Sequence, residues 1–204
     1  MRKLWKRVIL CFVLAASFRF GMLIADRQRL NGDMIRFHVV ANSNSAEDQA
    51  VKLQVRDAVM ESLRSAMADV ADVEQAKAYL QENLPKIQAT ANEVLARAGF
   101  DTSTVVSLCR ETFDTRVYDT FTLPAGVYES LRITIGEGEG KNWWCVVFPG
   151  LCIPAAEEDF ADVAAGAGFS EALSSTLTGE EGYEIRFFLL DALGRLENIF
   201  FQEK

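Results

Sequence analysis

One histidine, His38, limits the acid–base and nucleophilic chemistry open to this chain of 204 residues. A Ser-His-Asp or Cys-His site needs an imidazole to take the proton from its nucleophile, so His38 would have to serve. It sits in Ile35-Arg36-Phe37-His38-Val39-Val40-Ala41, which alternates apolar and polar at its start, the period of a half-buried strand. That places His38 on the face opposite Phe37 and Val39, where a lone histidine is ordinarily a surface or packed residue. Cys109 is the thiol that would pair with it, and nothing in the spacing joins them. A metal needs clustered ligands, and the chain has no Cys-x-x-Cys and no second histidine. Its acidic loops lack the alternating ligands of a calcium site. Gly136-x-Gly138-x-Gly140-Lys141 is short of a phosphate-binding loop by one residue and lacks the Ser or Thr after the lysine. Glu137 and Glu139 would repel phosphate there, so the segment reads as a hairpin loop. Asp114-Thr115 and Asp119-Thr120 lack the glycine of an aspartic-protease motif. The inventory points to binding without catalysis, cofactor or metal.

Two segments carry more character than packing alone requires. In the first, Arg36, His38, Asn42, Lys52 and Arg56 fall at a strand-to-helix junction. They are either cap and turn residues or a recognition surface. In the second, Trp143 and Trp144 are adjacent in a strand, so their side chains leave opposite faces. One enters the core, and the other must be covered by a helix, a loop or a partner.

The elements that position these residues begin with an export segment. Arg2, Lys3, Lys6 and Arg7 precede an apolar run from Val8 to Ala16, followed by Ala15-Ala16-Ser17, small residues of the kind a signal peptidase reads. Apolar character continues past Arg19 to Ile24, so residues 1–25 form either a cleaved signal or an uncleaved anchor. Without those four bases the net charge falls from −8 to −12, which excludes nucleic acid as a partner and confines membrane contact to residues 1–25. Export permits disulfides. Cys145 and Cys152 flank Pro149-Gly150, and a four-residue turn over 147–150 would set them opposite each other, leaving Cys109 as a buried thiol.

Residues 26–204 read as one α+β domain, with about three helices packed on a mostly antiparallel sheet. Asp26 to Asp33 is a polar linker. After the strand at 35–41, Ser45-Ala46-Glu47-Asp48 has capping-box spacing and opens a helix with a stripe of Val51, Val55, Val59 and Leu63. A second helix starts at Asp72 to Gln75, and a third at Pro85, ending at Gly99. Strands follow near 104–113, 128–135 and 143–148, then a loop with a short helix around Ser170 to Leu177. Tyr183-Glu-Ile-Arg-Phe-Phe-Leu-Leu190 reads as a final strand, and the tail to Phe201 as helix or strand extension.

Three stretches carry a family resemblance. Ile35-Arg-Phe-His-Val-Val-Ala-Asn-Ser-Asn-Ser-Ala-Glu-Asp-Gln-Ala-Val-Lys-Leu-Gln-Val-Arg-Asp-Ala-Val59 resembles the opening motif of the stage II sporulation protein R family. Phe121-Thr-Leu-Pro-Ala-Gly-Val-Tyr-Glu-Ser-Leu-Arg-Ile133 and Gly138-Glu-Gly-Lys-Asn-Trp-Trp-Cys-Val-Val-Phe-Pro-Gly-Leu-Cys152 resemble it too. The likeness is ordered along residues 30 to 155 and weaker in the last 50. It implies a protein secreted into the space between forespore and mother cell. There it would activate a membrane-embedded aspartic protease that cleaves pro-sigma-E. The family supplies no catalytic residues to carry over. The competing expectation is an exported module that binds or modifies the cell wall, using exposed aromatics to stack on sugars.

Overall fold

The computed structural model describes residues 2–68, 70–149, 164–166 and 169–202. The helices are α1 (Arg2–Gly32), α2 (Ala46–Ala68), α3 (Val73–Arg97), α4 (Glu171–Thr178) and α5 (Glu184–Gln202). The strands are β1 (Ile35–Val40), β2 (Thr104–Phe113), β3 (Arg116–Val117), β4 (Thr122–Leu123), β5 (Gly126–Ile135) and β6 (Asn142–Phe148). Four of them form one sheet in the order β2-β5-β1-β6, and β3 pairs with β4 in a small separate ribbon. In the main sheet β1 runs parallel to β5, while β2–β5 and β1–β6 are antiparallel. The fold is the expected α+β domain with a mostly antiparallel sheet.

Two helical layers sandwich the sheet. On one face the Val51, Val55, Val59 and Leu63 stripe of α2 and Leu80, Ile87 and Leu95 of α3 cover Phe37, Val39, Leu131 and Ile133. Each such side chain contributes roughly 1.5–3 kcal/mol when fully buried, so the stripe decides which side of α2 faces inward. On the other face Leu23 and Leu30 of α1, Leu173 and Leu177 of α4 and Leu190 of α5 pack over Phe113, Tyr128 and Val146. Because both faces are covered, all of β1 is buried, not the half that alternation suggested.

Several expectations are corrected. The segment 26–33 is not a linker: α1 runs through it, Leu30 enters the core, and the polar residues have partners in α5. Arg186 is ion-paired with Asp26, and Glu197 accepts from Arg27 at 2.7 Å and from Asn31 at 2.9 Å. Pro85 does not start a helix. It lies inside α3, whose start is capped by Asp72 accepting the Gln75 N–H at 2.9 Å. Proline loses one helical hydrogen bond, and burial of Leu80 and Ile87 on either side keeps the helix continuous. The 136–142 segment is not a hairpin, because β5 and β6 both pair with β1 and the loop crosses over the end of that strand. Val147 and Phe148 continue β6, so no turn begins at Val147. Cys152 lies outside the described residues.

The final strand expected over 183–190 is instead the first half of α5. Tyr183-Glu-Ile-Arg-Phe alternates by chance, and the side chains that dock the helix recur at helical spacing. Leu190 is buried, Asp191 accepts the Ala125 N–H at 2.8 Å, and a Cβ on Gly194 would stand 1.6 Å from the Ala125 carbonyl oxygen. The short helix predicted near 170–177 is α4, capped by Ser170 and stopped by Gly179 with φ 76°.

Candidate functional site

The strand-to-helix junction after β1 is a knot of hydrogen bonds. Ser45 Oγ accepts the Asp48 N–H at 3.1 Å, as a capping box predicts. The Asp48 carboxylate turns toward Ser43 Oγ and Asn42 Nδ2, at 2.5 and 3.0 Å. Those two donors, Ser43 first, hold its carboxyl below the usual range. Asn42 Oδ1 then accepts from the Glu137 N–H, and Asn44 Oδ1 from the Lys141 N–H. Lys52 is buried, donating to Gln49 Oε1 and to the Lys141 carbonyl at 2.6 and 3.0 Å. Burial, with Arg56 and Lys141 nearby, lowers its pKa. Asn42 and Lys52 therefore clamp the 136–141 crossover against the start of α2. Only a glycine fits at 140, where a Cβ would meet the Ser43 carbonyl oxygen at 2.2 Å.

The other proposed interaction residues part company across the sheet. On the α2 side the Arg56 guanidinium lies 4.7 Å from the centre of the Trp143 ring, and Trp143 meets Phe37 edge-on. On the opposite side Arg36 and His38 share the Phe113 ring with Trp144. Arg36 is fully buried, its guanidinium 4.1 Å from the Phe113 centroid and donating to Tyr118 Oη at 2.9 Å. Its Nε and Nη1 have no partner among the described residues. Both tryptophans are half-buried, and the Arg116 guanidinium lies 4.4 Å from the Trp144 ring centre.

Beside Trp144 opens a polar cleft of about 330 Å3, lined by His38, Glu111, Arg132, Asn142 and Trp144 among others. His38 Nε2 lies 2.7 Å from Glu111 Oε2, and Arg132 donates to Glu111 Oε1 at 2.9 Å. Burial pushes the Glu111 carboxyl up, but the His38 and Arg132 hydrogen bonds and charges outweigh it and hold it down to about 2. Glu111 is therefore an acceptor at any ordinary pH, so His38 Nε2 carries the hydrogen and donates. That leaves Nδ1 facing outward from the pair, buried and without a partner among the described residues, as is Asn142 Oδ1. Such orphans mark a place for a ligand group or water. Cys109 is on the same face of the sheet. Burial and Glu111 raise its pKa, and Ser107 Oγ is the contact of its sulfur, at 3.8 Å. Among the described residues its sulfur makes no hydrogen bond to His38. Among the described residues no three of His, Cys, Asp or Glu gather as a metal site.

Glu111, Phe113 and Arg132 were not singled out in the sequence because they reach the cleft from two further strands, β2 and β5.

α1 contains a stretch long and apolar enough to cross a membrane, and its first 20 or so residues project from the domain. The family model for "Stage II sporulation protein R" matches residues 31–158, spanning β1 through β6. The chain belongs to the stage II sporulation protein R family. A curated relative of that name from Bacillus subtilis (strain 168) is 33% identical over 180 residues, covering 79% of this chain and 80% of the relative. No solved structure matches. The family match ends before α4 and α5, so the cleft, the clamp and both tryptophans lie within it, and the helix that docks on α1 lies outside.

Proposed function

We propose that this member of the stage II sporulation protein R family is an exported signal that binds and activates a membrane-embedded aspartic protease, triggering processing of pro-sigma-E in the mother cell. The family match over 31–158 carries the reading. The apolar N-terminal helix suits export into the space between forespore and mother cell. Activation by binding requires the partner's active state to bind this domain more tightly than its resting state does. Two features suit such a role. Two residues that line the cleft, His38 and Asn142, each hold a buried polar atom with no partner among the described residues, and the net charge without the N-terminal bases is strongly negative. The Cys145–Cys152 bridge belongs to the same reading, since export would permit it.

Co-expression in a non-sporulating host of this chain, the protease and a tagged pro-sigma-E provides the test. Cleavage that requires this chain and its export segment is the expected result. Absence of cleavage, with all three proteins present and this one exported, overturns the reading.

A further inference from the structure

α5 docks on the domain by Leu190, Leu193 and Gly194, flanked by Arg186, Asp191 and Glu197, which bond Asp26, Ala125 and Arg27. A second apolar side faces out. Ile185 is 76% exposed, Phe188 68%, Leu196 53%, Ile199 54% and Phe200 67%. A helix normally turns its apolar stripe to the core, so this stripe awaits a cover.

The spacing says what kind. Ile185, Leu189, Ala192, Leu196 and Ile199 follow one another at intervals of four, three, four and three residues. That is the seam of a coiled coil, whose partner is another helix. The orientation narrows it further. Tyr183 to Leu189 line a cavity of about 500 Å3 together with Ala16 to Leu23 of α1, while Glu197 bonds Asn31. So α5 runs alongside α1 in the same direction: Ile185 and Leu189 stand beside the apolar stretch of α1, and Leu196 and Ile199 lie farther along, near the level of Arg27 and Asn31. Lipid around α1 would reach the first two positions and leave Leu196 and Ile199 to another helix.

We propose that the occupant is α5 of a second copy, forming a parallel two-fold dimer. A second copy anchored in the same membrane presents an identical helix, in the same direction and at the same height. The seam positions carry no charge, so a two-fold axis along it sets no like charges together. The dimer would place two α1 helices side by side. This inference stands apart from protease activation, which a monomer could perform.

The full chain carrying Cys11→Ala provides the test, with cysteine placed at Leu196, at Ile199 or, as an exposed control away from α5, at Val117. In membranes the first two should cross-link to dimers under mild oxidation and the third should not. Light scattering in detergent should give the Cys11→Ala chain without an added cysteine a protein mass twice the 22.7 kDa of one chain. Leu196→Glu with Ile199→Glu should return it to the single mass with an unchanged melting temperature. A single mass before those changes overturns the proposal. So does a dimer that survives them, since α1 alone would then hold it. Shielding of Leu196→Cys from labelling without cross-linking would mean lipid, and cross-linking only to another protein would mean a foreign helix. Either result also overturns it.

Discussion

The imidazole of His38 lies flat on the indole of Trp144, ring centroids 4.7 Å apart and planes 4° from parallel. One strand supplies each ring, and Glu111 from β2 fixes the imidazole by its Nε2 while Arg132 from β5 fixes Glu111. Four strands are thereby tied together through side chains on one face. The pairing explains why a histidine stands in a strand buried on both sides, and it fixes the orientation of the ring.

Glu111 ties stability to pH. Its folded pKa, about 2, lies below the ordinary 4.5. A lowered folded value means the stabilisation is complete above the ordinary value and is lost as pH falls from there through the folded one. Glu111→Gln should therefore be less stable than the native chain at neutral pH, by on the order of 2 kcal/mol. The two should converge as pH falls toward 2. Thermal melts across that range check it, and a gap that stays constant with pH would contradict it.

The tryptophans differ in what they hold. Trp144→Ala removes the platform for both His38 and Arg116 and should destabilise by about 2–4 kcal/mol, less than a fully buried tryptophan costs. Trp143→Ala loses the Phe37 and Arg56 contacts and should cost about as much from the other face. Melting temperatures should be read before any signalling assay on these variants. Trp144→Phe, keeping an aromatic surface, should recover most of the loss.

At the crossover, Gly140→Ala should destabilise by at least about 1–3 kcal/mol, because the neighbour in its way is the Ser43 backbone and cannot swing aside. Asn42→Ala leaves the Glu137 N–H without a partner and Asp48 with only Ser43 of its two side-chain donors, and should cost about 1–3 kcal/mol. Since the two changes damage one clamp, their effects should be less than additive in a double-mutant cycle. Full additivity would separate the loop from the junction.

For the cysteines, peptide mapping of exported protein without reduction should recover Cys145 joined to Cys152. Cys109 should alkylate slowly at neutral pH, since burial and Glu111 both keep it protonated. Rapid modification of Cys109, or free Cys145 and Cys152, would refute these expectations.

Much of the fold was readable where the physical signal is local. The α2 stripe, the Ser45 and Asp72 caps and the Ser170–Gly179 helix each depend on residues a few positions apart. What failed depended on distant partners. Asp26, Arg27 and Asn31 looked solvated because their partners, Arg186 and Glu197, lie some 160 residues away. The same pairs account for the misreading of 183–190, because a helix that docks by both polar and apolar residues and leaves further apolar ones exposed breaks the usual pattern. Arg36 and His38 were legible as unusual, but the sequence grouped them with Asn42, Lys52 and Arg56. The structure sends these five to three places, since alternate strand residues and successive helix turns leave in different directions.

The unbroken run of α1 from residue 2 to residue 32 governs reach. A flexible eight-residue tether would let the domain sweep a hemisphere and sample a facing surface. A helix locked into the domain by Leu30, Arg27 and Asn31 holds it upright at a fixed height, like a post. Contact with anything across a gap then needs either a gap no wider than the domain or a cut through the post. A cut after Ala16 would free a domain still bearing Phe18, Phe20 and Met22, a greasy stub that would set how far the released signal drifts before it settles on the next membrane.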